Sequence, residues 1–183
     1  MAGYVVVLDA NVLYGIEVTD LMATMATQRL FRPHWSPEIL DEVARNLAKR
    51  PELDPTAIAR RIEHLNRALP GALSAAPRSL IDAMPINAKD RHVLALAVHV
   101  AAPTIVTGNL RDFPPDGLEP FGIEAVSADA FALAQVDLHP ETVLACLDAM
   151  AARRRRSPRT RAELIASLGR LLPRAMAELG RLA

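Results

Sequence analysis

The sequence holds a single cysteine, Cys146, among 183 residues. One thiol excludes an internal disulfide and a cysteine-rich metal site. Val143, Leu144, Leu147 and Met150 surround it in a helical rhythm, so it reads as a small core residue and not as a nucleophile. No apolar run approaches the ~18 residues that span a bilayer. The N-terminus lacks the basic segment, apolar stretch and small-residue cleavage site of a secretory signal. These absences give the expectation of a cytoplasmic protein with no membrane attachment. There is also no internal repeat, low-complexity tract or heptad run.

What is present is an ordinary globular composition, 51% hydrophobic and 23% charged, in a length that suits one domain with some residues to spare. The formal net charge is zero, but the charges are not evenly spread. Residues 1–150 carry 12 Lys+Arg against 19 Asp+Glu, a net of −7. Residues 151–183 carry 9 Arg against 2 Glu, a net of +7. An acidic body with a basic tail points to nucleic acid or to an acidic partner surface.

Tyr4-Val-Val-Val-Leu8 is a short β-branched apolar run, expected as a buried central strand of a parallel sheet. It stops on Asp9, the position beyond a strand end where open α/β sheets bind ligands. Capping or turning the chain is the plainer role for that acid. Residues 12–28 follow in a helical rhythm that Asp20 interrupts or restarts, and Leu30–His34 is a candidate second strand. Ser36-Pro37 opens a helix with Ile39, Leu40, Val43 and Leu47 as its apolar stripe. At about 100° per residue, Glu42 lies nearer the stripe's edge than Glu38 or Asp41, so it is the acid placed to look inward. Pairing with Arg45 or Asn46 is its alternative.

Asp54-Pro55 caps a helix over about 55–68, and residues 71–87 read as loop with a short element near Leu80-Ile81. Asp90 sits in the first turn of an apolar helix through Val93, Leu94, Ala97 and Val98, either as a cap or as an inward-facing acid. Pro103–Thr107 is expected as another buried strand, followed by a polar loop carrying Asn109 and Asp112. Ile123–Val126 reads as a short strand, with Ser127 or Asp129 capping a brief helix. From Asp137 onward the chain is helical and basic. One helix opens at Pro140 and runs into Arg153, Arg154, Arg155 and Arg156, which read either as a solvated helix end or as a phosphate-contacting patch. A Thr160/Glu163 capping box opens the next helix. The domain division expected is 1–136 for the α/β unit and 137–183 for a helical extension that packs back on the body or meets a partner.

Asp9, Glu42, Asp90 and Asp112 therefore stand at strand ends and core-facing helix edges, places that can converge at one edge of a parallel sheet. Carboxylates without His or Cys form a hard, all-oxygen site suited to Mg²⁺ or Mn²⁺. A divalent cation relieves their mutual repulsion and can activate water for phosphoryl chemistry. The five histidines, His34, His64, His92, His99 and His139, are scattered and read as structural.

The segments LDANVLY, WSPEILDEV, KDRHVLALAV and IVTGNLRDFP, in this order across residues 4–126, resemble a PIN-domain ribonuclease of the bacterial VapC-like toxin group. The resemblance implies a three-layer α/β/α fold with a central parallel sheet and C-terminal helices. It implies a metal site of Asp9, Glu42, Asp90 and Asp112, supported by Asn11, Thr107 and Asn109. It further implies cleavage of single-stranded RNA by metal-activated water, leaving a 5′-phosphate and a 3′-hydroxyl, with an antitoxin protein as partner and a homodimer as the assembly. The chain departs from many relatives in having Asn87, Ala88 and Lys89 where further acids precede Asp90, and Asn109 where an Asp is common. The rival readings are a weakly catalytic scaffold that binds RNA or protein, and a small-molecule phosphatase using Asp9. The latter expects a second Asp at the position of Asn11.

Overall fold

A computed structural model describes residues 3–153 and 159–182. Strand β1 (Val5–Leu8) is the centre of the sheet, with Val6, Val7 and Leu8 fully buried. It pairs in parallel with β2 (Arg32–His34) on one side and with β3 (Thr104–Val106) on the other. β4 (Glu124–Val126) extends the sheet beyond β3, giving the order β2-β1-β3-β4. All the pairings are parallel, so every strand delivers its C-terminal end to the same edge. The chain turns to opposite sides of β1 when it forms β2 and β3. The crevice between the ends of β1 and β3 is thus the switch point where such sheets bind ligands.

Helices flank the sheet on both faces, the α/β/α arrangement that the family resemblance implies. α3 (Pro37–Leu47) starts where Ser36 Oγ accepts from Ile39 N, and it buries Ile39, Leu40, Val43 and Leu47. α4 (Pro55–Ala68) is capped by Asp54, and α5 (Arg78–Ala83) occupies the middle of the 71–87 stretch. α6 (Arg91–His99) buries Val93 to Ala97 against β1 and β3. A 3₁₀ turn at Leu110–Asp112 and the short α7 (Pro115–Leu118) follow β3.

The helical rhythm of residues 12–28 is broken at a different residue from the one anticipated. Asp20 lies within α2 (Ile16–Thr27), and the break falls at Gly15, whose extended backbone separates α2 from α1 (Ala10–Tyr14). Arg61 of α4 explains the stop. Its Nη2 donates to Leu13 O at 2.7 Å and to Tyr14 O at 3.1 Å, satisfying the terminal carbonyls of α1 from a distant helix.

The C-terminal helices pack back on the body. α8 (Ala128–Leu138) is held to the core by Phe131, edge-on to Phe31 at 4.9 Å. α9 (Pro140–Arg153) lies along α2, α10 (Arg161–Leu168) follows with its Thr160/Glu163 capping box formed, and α11 (Pro173–Leu182) packs on α8. Polar clasps fix this arrangement. Arg153 donates to Asp20 Oδ1 at 2.9 Å and to Thr24 Oγ1 at 2.8 Å, and Arg159 pairs with Glu17 at 2.6 Å. Arg153 is thus engaged with α2, while Arg154, Arg155 and Arg156 lie outside the described residues. No described helix is long and apolar enough to cross a membrane.

Ser127 caps α8 locally, and Asp129 caps α11 across 45 residues by accepting from Arg174 N at 3.0 Å and Ala175 N at 3.1 Å. Asp129→Ala removes that cap. We expect a loss of about 1 kcal/mol in urea unfolding, the usual worth of an N-cap; an unchanged midpoint would show that the docking of α11 does not use it.

Candidate active site

Asp9 follows β1 directly and is 7% exposed. The β1–β3 register pairs Leu8 with Val106, which sets Asp9 beside Thr107. Asp9 Oδ1 accepts from Ala10 N at 2.7 Å, so the acid does cap α1. Oδ2 accepts from the Thr107 hydroxyl at 2.7 Å and from Asn11 Nδ2 at 2.5 Å. The Thr107 oxygen in turn accepts from Asn11 Nδ2 at 3.1 Å and from Asn109 N at 3.0 Å. Asn11 Oδ1 accepts from Gly108 N at 2.5 Å. A Cβ at residue 108 would sit 3.1 Å from that same Asn11 oxygen, so glycine permits the close approach of the two loops. Three of the roughly four acceptor positions of the Asp9 carboxylate are filled, and the one left is on Oδ1.

Asp90 stands at the start of α6 but makes no side-chain capping bond, so the cap reading of this residue is not what the molecule adopts. Its Oδ2 is buried and has no hydrogen-bond partner. Burial pushes its pKa up to about 6, helped by the negative charges of Asp112 and Asp9 and opposed by Lys89 and His92. Asp9, Asp90 and Asp112 are therefore close enough to share one electrostatic field. Asp112 lies in the 3₁₀ turn after β3, and its Oδ2 accepts from Lys89 Nζ at 2.9 Å.

Glu42 is half-exposed while Glu38 and Asp41 are exposed, in line with its place at the edge of the α3 stripe. Its Oε2 lies 4.0 Å from His92 Nε2 and not on Arg45 or Asn46. His92 Nε2 is itself buried with no hydrogen-bond partner. Glu42 is thus placed beside His92 and, among the described residues, makes no contact of its own with the other three acids. The Asn109 backbone is bound to Thr107, and its side chain lies at the exposed surface.

Among the described residues no three His, Cys, Asp or Glu side chains close into a metal cage. The acids instead edge an open crevice. Two cavities, about 820 Å³ between α3 and α4 and about 690 Å³ between α2 and α4, contain none of them. The donor set nevertheless suits a hard cation. It offers an unfilled position on Asp9, an orphaned oxygen on Asp90, and no thiolate. Sequence reasoning gave no role to Lys89 and took His92 as structural. The available signal was the KDRH run, a basic residue on each side of the acid that opens α6.

The raised Asp90 pKa makes a stability statement. The folded protein holds this proton more tightly than the unfolded chain does, so stability falls as pH rises from about 4 to 6 and stays reduced above. Asp90→Asn cannot ionise. In EDTA we expect it to stabilise the protein at pH 7, by about 1–2 kcal/mol once solvent screening of this partly exposed group is discounted, and by nothing near pH 4. Denaturation midpoints across that range check this; a variant no more stable than wild type at pH 7 contradicts it.

Comparison with known proteins places these observations in a family. Residues 5–111, more than half of the chain, match the PIN domain, and residues 128–181 match the VapC50 C-terminal domain. The chain is 43% identical over 103 residues to a Mycobacterium tuberculosis (strain ATCC 25618 / H37Rv) protein named "Putative ribonuclease VapC50". That alignment covers 56% of this chain and 61% of the relative, so the chain spans about three-fifths of the relative's length. No solved structure matches. The strand-end acid, the parallel sheet that carries it and the matched segment agree: the chain belongs to the PIN-domain family, with a VapC50-type C-terminal domain behind it.

Proposed function

We propose that this protein is a Mg²⁺- or Mn²⁺-dependent endoribonuclease that cleaves single-stranded RNA, and that it is the toxin of a toxin–antitoxin pair. The observation that carries the reading is that Asp9, fixed at the switch point of the sheet, lies within charge reach of Asp90, whose buried oxygen accepts no hydrogen bond. The relative's name, a ribonuclease, supports it. Asp9, Glu42, Asp90 and Asp112 are the residues proposed to hold the cation. When bound, it supplies Lewis-acid stabilisation of the phosphoryl group and a more acidic water.

The chain's own contribution is positioning. Thr107 and Asn11 hold Asp9 in one orientation from two strand ends, so no reorganisation is needed when substrate arrives. Asp90 is kept at the crevice in a partly buried place that disfavours its charged form, which a bound cation would stabilise. In the reaction, the water oxygen forms a bond to phosphorus as the bond from phosphorus to the 3′ oxygen breaks. That oxygen takes up a proton, and the products are a 5′-phosphate and a 3′-hydroxyl.

Residues 1–136 are proposed as the nuclease unit and 137–183 as its helical extension, with α8 tied to the core by Phe131. The antitoxin is proposed to cover the acidic crevice with a cation of its own, an Arg set among the carboxylates. A homodimer and a cytoplasmic location complete the reading. Arg154, Arg155 and Arg156 are proposed to contact RNA phosphates, while Arg153 serves α2. A second reading has one observation in its favour: Lys89 already neutralises Asp112, which suits a weakly catalytic scaffold that binds RNA or protein.

One assay separates them. Single-stranded RNA is incubated with the purified protein in Mn²⁺ and in EDTA, alongside Asp9→Asn and Asp90→Asn. We expect cleavage only with metal, and a loss of at least ~100-fold in each variant, as for a site whose charge stabilisation comes from a bound metal. Wild type that binds RNA without cutting it, or variants that cut as well as wild type, would favour the scaffold.

A further inference from the structure

The ammonium of Lys89 reaches into the acidic crevice. Nζ is 2.9 Å from Asp112 Oδ2 and 3.7 Å from Asp90 Oδ2. Its side chain is 60% exposed, so charge rather than packing holds it there. The backbone beneath is fixed by a tight turn. Asp90 N donates to Asn87 O at 2.9 Å, Lys89 N donates to Asn87 Oδ1 at 3.2 Å, and Arg91 Nε donates to Ile86 O at 3.0 Å. That turn sets Lys89 next to Asp90, with a stem long enough to cross to the 3₁₀ turn after β3.

The result is a crevice with two unlike sides. On one side Asp112 has a cationic partner. On the other, Asp9 is met only by neutral donors, and Asp90 Oδ2 accepts no hydrogen bond, the ammonium standing 3.7 Å off against 2.9 Å at Asp112. Paired divalent cations in phosphoryl-transfer sites lie only about 3.5–4 Å apart and share carboxylates. A second cation here would have to displace the ammonium or sit against it.

We propose that Lys89 is the resident cation of the crevice: it occupies the Asp112 side, so the crevice takes one divalent cation, at Asp9 and Asp90, and not two. This rests on the metal-centre reading above. It assigns Lys89 a positioning role, fixing how many metal ions the site holds, and it narrows the ligand set proposed above by making Asp112 a partner of the ammonium in the working protein.

The test counts ions. The full chain is titrated with MnCl₂ at pH 7.5 by calorimetry, as wild type, Lys89→Gln, Lys89→Arg and Asp9→Asn. We expect one Mn²⁺ in wild type, two in Lys89→Gln, one again in Lys89→Arg, and none in Asp9→Asn. Two ions in wild type, or one in Lys89→Gln, overturns the role of Lys89 and leaves the metal centre standing. An ion retained by Asp9→Asn overturns the placement on the Asp9 side. No Mn²⁺ in either wild type or Lys89→Gln overturns this inference and the metal-centre reading together.

Discussion

The hydrogen bond from the Thr107 hydroxyl to Asp9, 2.7 Å long, joins the ends of two central strands. It forms only because β1 and β3 pair in parallel with Leu8 beside Val106. A slip of one residue would turn Asp9 to the other face of the sheet. The buried run Val6-Val7-Leu8 and the buried run of β3 fix that register by burial, and Asn11 and Gly108 then close the two loops over the carboxylate. The candidate chemistry is thus a consequence of strand pairing, and the helices serve to bury the strands that impose it.

The acids around this point cost the fold something. Asp90 is held in a place where its charged form is disfavoured, and its buried oxygen accepts no hydrogen bond from the protein. Lys89 relieves the Asp112 side, and His92 stands 4.0 Å from Glu42. Local inconsistencies of this kind collect where function requires them. The rest of the protein is locally consistent, with caps at α3, α4, α8 and α10 and apolar stripes facing inward. The C-terminal helices pack on α2 and on one another, away from the acids of the crevice. They are fastened to α2 through Asp20, Thr24 and Glu17 and to α8 through Asp129.

How much could be read from the sequence depended on the range of the interaction. The strand before Asp9, the Ser36-Pro37 cap and the Thr160/Glu163 box are local, and each formed where its residues indicated. Glu42 at the stripe's edge followed from helical periodicity alone. The break at Gly15 was not legible, because the group that completes it is Arg61, 46 or more positions along the chain. Nor was the Asp129 cap, whose acceptor and donors meet only after three helices have packed. Lys89 stood in view beside Asp90, but its partner is 23 residues away and its role emerges only when the two loops meet. Four acids in a row could be selected from the sequence. The unlike surroundings of Asp9, Asp90 and Asp112 required the fold.

The central claim is that the crevice between β1 and β3 is a metal centre. The most direct measurement is anomalous diffraction from crystals grown in millimolar Mn²⁺. The account expects a peak bonded to carboxylate oxygens of both Asp9 and Asp90, at the ~2.0–2.2 Å typical of small divalent cations on oxygen. Ordered crystals with no peak in the crevice, or with Mn²⁺ only at another surface, would contradict it.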